Sequence, residues 1–98
     1  MIHEVITIVE RVKNKITDSS DMVWTGYDTA KQLRDELNGY IDLFQSGDSS
    51  CLEKLHIHFL PTCTFQEHSI SNGWADEYLT LAERFDRIYA LLKKESSD

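Results

Sequence analysis

One stripe constrains this chain more than any other feature: Trp74, Tyr78, Leu81, Phe85, Ile88 and Leu92 stand at alternating steps of four and three over more than two and a half heptads. A helix of 3.6 residues per turn gathers such positions on one face, whereas a strand would scatter them over both. The spacing predicts a helix over 73–94. Asp76 and Glu77 in its first turn and Lys93 and Lys94 in its last complement the helix dipole, and Glu83 precedes Arg87 by four. Ser71, Asn72 and Gly73 supply capping candidates, and 95–98 is expected to fray. A stripe this apolar needs other helices to cover it.

Three further segments can provide the cover. Ala30, Leu33, Leu37, Tyr40 and Phe44 repeat the same alternation, predicting a helix over 28–45 with Asp28 as its N-cap and Gly47 just past its end. Gly39 inside it costs about 1 kcal/mol against alanine, which suggests a close helix crossing. Ile2, Val5, Ile6, Val9, Val12 and Ile16 predict a helix over 2–16, because strict alternation fails there. Ser50 and Glu53 have capping-box spacing before Leu52, Leu55 and Phe59, predicting a helix over 50–60 that stops at Pro61. The rival reading is a strand, in which Leu55, Ile57 and Phe59 alternate with His56 and His58. Thr64 and Glu67 repeat the capping-box spacing, so a short turn of helix at 65–70 is expected inside an otherwise irregular connection at 61–73. The whole reads as a single all-α domain, a small antiparallel bundle of three to four main helices. A chain of this length buries roughly 60–68% of its unfolded surface, enough for one core and a surface but not for a deep multi-part cleft.

Charge narrows the partners. The 98 residues carry 10 Lys or Arg against 17 Asp or Glu, a formal net charge of −7. Nucleic-acid and anionic-membrane binding rest on basic side chains, so both are disfavoured. Five of the seven net negative charges fall in residues 17–48, where Asp28, Asp35 and Asp42 recur every seven residues opposite the apolar seam. Trp24 and Tyr27 stand at the start of that window, and large amphipathic aromatics beside charge are common interface anchors; the alternative is that they cap the bundle core. Phe65 and Trp74 edge the 61–73 connection, which is either a recognition surface or a structural bridge across the end of the bundle with Phe65 and Ile70 plugging the core. No apolar run is long enough to span a bilayer and no secretory leader is evident, so a cytoplasmic location is expected, with Cys51 and Cys63 free.

Reactive side chains are densest at Cys51, His56, His58, Cys63 and His68. The spacing suits a metal poorly: no Cys-x-x-Cys or His-x-x-x-His occurs, and His56 and His58 would point about 200° apart on a helix. Cys63, His68, His56 and His58 are thus only weak metal candidates, and no cofactor is expected. A nucleophilic Cys63 activated by His68 and oriented by Glu67 is the one enzymatic arrangement the sequence offers, in a chain too short to add an oxyanion hole and cleft with ease. The leading expectation is a non-enzymatic protein that binds another protein with a basic surface, as an inhibitor, immunity or antitoxin-type partner does. The alternatives are a small-ligand or metal-binding domain using Cys63 and His68 with His56 or His58, and an oligomeric scaffold or homodimer built on the two apolar seams.

Overall fold

The computed structural model describes residues 1–96. It is all-helical, in the order α1 (Ile2–Lys15), α2 (Ala30–Gln45), α3 (Leu52–His58), α4 (Thr64–Asn72) and α5 (Ala75–Ser96). The described residues contain no strand. The seam of α5 is the wall on which the bundle is built: Trp74, Tyr78, Leu81, Phe85 and Ile88 are buried, and Leu92 packs at the margin. Ala30, Leu33, Leu37, Tyr40 and Phe44 line the inner face of α2, joined by Ile41. Fully burying one such side chain contributes roughly 1.5–3 kcal/mol, so each seam can hold its helix in place.

Side-chain pairs give the helix directions. Lys13 reaches Asn38 at 2.9 Å and the Arg34 guanidinium donates to the Ile16 carbonyl at 3.2 Å, so the end of α1 lies against the first half of α2. Lys15 pairs with Glu77 at 2.9 Å, setting the same end of α1 beside the start of α5. α1 therefore runs antiparallel to both. α3 also opposes α5: Glu53 near its start accepts from Tyr89 and Lys93 near the end of α5, each at 2.6 Å. Phe59 after its end stacks on Phe85 with centroids 4.3 Å apart. A bundle of small antiparallel helices is what the seams require.

Several local expectations need correction. The inner face of α1 is Val5, Ile8, Val9 and Val12, with Ile16 following, while Ile2 and Ile6 are only half-buried. The expected stripe left Ile8 out because a rotation of one residue places it, not Ile2, inside. Thr29 and not Asp28 is the N-cap of α2, closing a full capping box with Gln32. The C-terminal glycine performs as expected: Gly47, at φ 86°, lets its own N–H reach the Phe44 carbonyl at 3.1 Å and Asp48 N–H reach that of Leu43 at 2.9 Å, a Schellman motif. Gly39 marks no crossing, since a Cβ built there meets nothing within 4 Å.

The helix predicted over 50–60 is confined to Leu52–His58. Its N-cap is Cys51, with no side-chain cap bond. The Ser50–Glu53 box does not form because Glu53 is drawn across to Tyr89 and Lys93. Ile57 is 56% exposed, which disposes of the rival strand with its Leu55–Ile57–Phe59 face. The connection expected over 61–73 is mostly the nine-residue helix α4, longer than the 65–70 turn. Its N-cap is Cys63, which makes no side-chain cap bond, and the expected Thr64–Glu67 box does not form: Thr64 is the first helical residue and its hydroxyl is engaged by His58 at 2.8 Å. Gly73, at φ 82°, ends α4 and does not cap α5. α5 continues through Ser96, two residues into the expected tail, and the rest of that tail, 97–98, lies outside the described residues.

Candidate interaction surface

The segment between α1 and α2 lacks helix but not order. Asp21 exchanges two hydrogen bonds with Asn72 at the end of α4, its N–H donating to Oδ1 at 2.7 Å and its carbonyl accepting from Nδ2 at 3.0 Å. Its carboxylate accepts from Val23 N–H at 3.0 Å. The Thr25 hydroxyl donates to the Met22 carbonyl at 2.8 Å and accepts from Tyr27 N–H at 3.2 Å. Met22 and Thr25 are buried by this arrangement, and Gly26, at φ 82°, makes the turn that returns the chain toward α2. Val23 and Trp24 are left pointing out, 76% and 70% exposed. Trp24 therefore does not cap the core. Such exposure gives up the stabilisation that burying so large an apolar side chain would bring.

Charge and shape around this loop are consistent. A groove of about 600 Å³ runs between the loop and the start of α2, lined by Met22, Tyr27 and Ala30, by the carboxylates of Asp18, Asp21 and Asp28, and by one cation, Lys31. Asp28, Asp35 and Asp42 are all exposed and continue the acidic surface along α2, about 10 Å between neighbours. Asp35 is partly neutralised by Lys31 at 2.7 Å, and Asp18 by Arg34 at 2.6 Å.

Tyr27 is half-buried and belongs to a polar cluster beneath the loop. The Glu36 carboxylate accepts from Tyr27 at 2.8 Å, from Tyr40 at 2.6 Å and from His58 Nε2 at 2.6 Å, while His58 Nδ1 meets the Thr64 hydroxyl at 2.8 Å. One carboxylate thus joins the loop, α2 and α3, with α4 attached through His58. Burial pushes the Glu36 carboxyl up, but the hydrogen bonds from Tyr40, Tyr27 and His58 outweigh it and hold it below the usual glutamate range. Burial and the same carboxylate push Tyr27 and Tyr40 far above the ordinary phenol value. The Thr64–His58–Glu36 connectivity is that of a hydroxyl–imidazole–carboxylate relay, but the groove beside Tyr27 is lined by neither His58 nor Thr64. What the cluster does chemically is bind four segments together and fix the ring of Tyr27.

The other expected site residues fall into separate places. Phe65 is fully buried, edge-on to Phe59 at 4.9 Å, and Trp74 is 6% exposed, so these two plug the core, whereas Ile70, the other expected plug, lies on the outer face of α4 and is 60% exposed. His56 stacks on Tyr89 at 3.9 Å, and His58 faces α2, on the opposite side of α3 as the helical spacing requires. His68 is fully buried with Nδ1 accepting from the Trp74 indole at 2.9 Å, and Nε2 has no hydrogen-bond partner, Cys63 included. Among the described residues no group of three or more His, Cys, Asp or Glu is placed to hold a metal ion. No helix among them is long and apolar enough to cross a membrane. The cluster on Glu36 escaped the sequence reading; its only local trace is the four-residue spacing from Glu36 to Tyr40. Comparison of the chain with protein-family models, curated proteins and solved structures finds no match.

Proposed function

We propose that this protein is a non-enzymatic binding module whose loop 16–29 and the adjoining acidic face of α2 engage another protein, one presenting a basic surface with an apolar pocket for Trp24. Inhibitors, immunity proteins and antitoxins work in this way, by covering a functional surface of their target. The observation that carries the reading is Trp24, 70% exposed on a segment held by the Asn72 clamp. A side chain carried on an ordered backbone segment spares binding the cost of ordering that segment, and tryptophan is among the residue types most enriched at energetic hot spots. The acidic residues around it supply charge complementarity, which speeds encounter and selects the partner. We place the protein in the cytoplasm, where two unbridged thiols, Cys51 and Cys63, are at home.

The test begins with capture of the partner from the protein's own cells and continues with kinetics on the isolated pair. Trp24→Ala should weaken binding by roughly 30-fold to 1,000-fold, mainly through faster dissociation, the range of a hot-spot truncation. Its folding stability should stay within about 0.5 kcal/mol of wild type, as for an exposed side chain. Replacing Asp28, Asp35 and Asp42 together by lysine should slow association and flatten its dependence on salt. Wild-type kinetics from both variants would dismiss the reading.

A further inference from the structure

We propose that His68 is an acid-sensitive latch: taking up a proton, it releases the junction of α4 with α5 and, through Asn72, the loop that carries Trp24. The inference rests on the binding role of that loop and names its regulation.

The argument starts from an unsatisfied atom. His68 is fully buried, and its Nδ1 accepts the indole N–H of the equally buried Trp74 at 2.9 Å. Nδ1 must therefore carry the lone pair, and the ring proton of the neutral imidazole sits on Nε2. Nε2 in turn has no hydrogen-bond partner. Buried polar atoms without partners are rare and leave the group that carries them poorly held. An imidazolium carries N–H on both nitrogens, so the charged ring would oppose its new proton to the indole N–H while Nε2–H still found no acceptor. Protonation is compatible with this site only if the indole bond breaks or the ring leaves the core.

The surrounding charges oppose that strain only in part. From loop 16–29, the Asp21 carboxylate favours the imidazolium, but the loss of solvent is the larger effect and holds His68 below the ordinary histidine value. On its own helix the nearest carboxylate in sequence is Glu67. From α1 and α5, Lys15, Asp76 and Glu77 line the groove over Ser69 and Trp74; Lys15 and Glu77 are paired with each other at 2.9 Å, and Asp76 is a further carboxylate on that side.

The mechanical link is short. Asn72, one turn beyond His68, donates to the His68 carbonyl at 2.9 Å with the same amide nitrogen that holds the Asp21 carbonyl, while its oxygen holds Asp21 N–H. Gly73 follows in the left-handed conformation and hands the chain to Trp74. A ring that leaves the core at 68 displaces the anchor of the loop at 72. The sign follows from linkage: a folded-state value below the unfolded one means the closed form binds fewer protons. Closure is complete well above the ordinary histidine value of about 6.5, and the closed-to-open ratio falls below it with a slope that approaches about tenfold per pH unit until the folded-state value is reached.

The experiment follows wild-type protein from pH 7.5 to 5 by nitrogen-edited NMR, reading the His68 ring nitrogens and the Trp74 indole N–H. Proteolytic cleavage within residues 17–27 is measured over the same range, each rate normalised to that of His68→Gln, whose amide oxygen can accept from the indole and does not titrate. We expect Nε2 to carry the proton at neutral pH, the Trp74 resonance to be lost on acidification, and normalised cleavage to rise about fivefold between pH 6.5 and 5.5. The proposal is overturned if His68 titrates at its ordinary value with the Trp74 indole unmoved, or if His68→Gln opens on acidification as wild type does. Should that variant not fold, the wild-type NMR titration decides alone. None of these readouts uses a partner. A flat acid profile beside a binding defect in Trp24→Ala removes the latch and keeps the binding role; the reverse pair of results removes the binding role and keeps the latch.

Discussion

Replacing Glu36 with alanine should be among the most damaging single changes in this protein, although the residue belongs to no apolar seam. The carboxylate is the shared acceptor of three donors, Tyr27, Tyr40 and His58, at 2.8, 2.6 and 2.6 Å. Tyr40 and His58 are 7% and 8% exposed, so their donors are left in surroundings with little water. Leaving a buried donor without its acceptor costs about 1–3 kcal/mol for each donor stranded. The Glu36 side chain is itself 33% exposed, so water can enter the gap and the lower end for the three donors together, about 3 kcal/mol, is the better figure. At roughly 4–8 °C per kcal/mol for a domain of this size, the melting temperature should fall by about 12–24 °C. Glu36→Gln keeps an acceptor and removes the charge, so about 1–2 kcal/mol is expected. Urea unfolding followed by far-ultraviolet circular dichroism measures both. An acid titration supplies the second arm: Glu36 has its folded value lowered, so its contribution is complete above the ordinary glutamate range and is lost as pH falls through the folded value. The difference between wild type and Glu36→Gln should therefore shrink in that acidic window. An alanine variant within about 1 kcal/mol of wild type, or a difference from Glu36→Gln that does not change with pH, would refute the shared-acceptor account.

Smaller changes test the local assignments. Thr29→Ala should cost about 1 kcal/mol, the ordinary value of an N-cap, while Asp28→Ala should leave denaturant stability nearly unchanged; the opposite order would restore Asp28 as the cap. Gly39→Ala should stabilise by roughly 0.5–1 kcal/mol, because the site is helical and open, and a loss of stability would reveal a contact at that face. Gly47→Ala should instead destabilise by about 1 kcal/mol or more, because φ there is 86° and the Schellman bonds depend on it.

The fold was legible where a period reports it. In α2 and α5 the four-three alternation names nearly every buried residue, since a helix with one covered face must repeat at that interval. α1 is harder because Ile2, Val5, Ile6, Ile8 and Val9 offer two overlapping stripes, and packing against α2 and α5, not the pattern, selects Ile8 over Ile2. Caps are choices among neighbours: Asp28 and Thr29 are both good N-caps, and only the Gln32 side chain, which accepts from the Thr29 backbone at 3.3 Å and from Asp28 at 3.0 Å, shows where the box closes. The candidate surface follows a different logic. Phe65 and Trp74 look in sequence like edges of an irregular connection, but α4 turns Phe65 inward and the Gly73 turn brings Trp74 in at the head of α5, while Trp24 projects from a segment with no period at all. What orders that segment is long-range: Asn72 lies 51 residues from Asp21, and the carboxylate that holds Tyr27 is held in turn by His58, 22 residues away. Local pattern therefore identifies the acidic window of 17–48 and its aromatics, whereas tertiary contacts alone decide which aromatic faces out. Those contacts converge on two polar anchors, Asn72 and Glu36, so the display of Trp24 depends on residues in α4 and α2 that lie outside the loop. Substitutions at either anchor should accordingly impair binding without altering a single residue of the exposed surface.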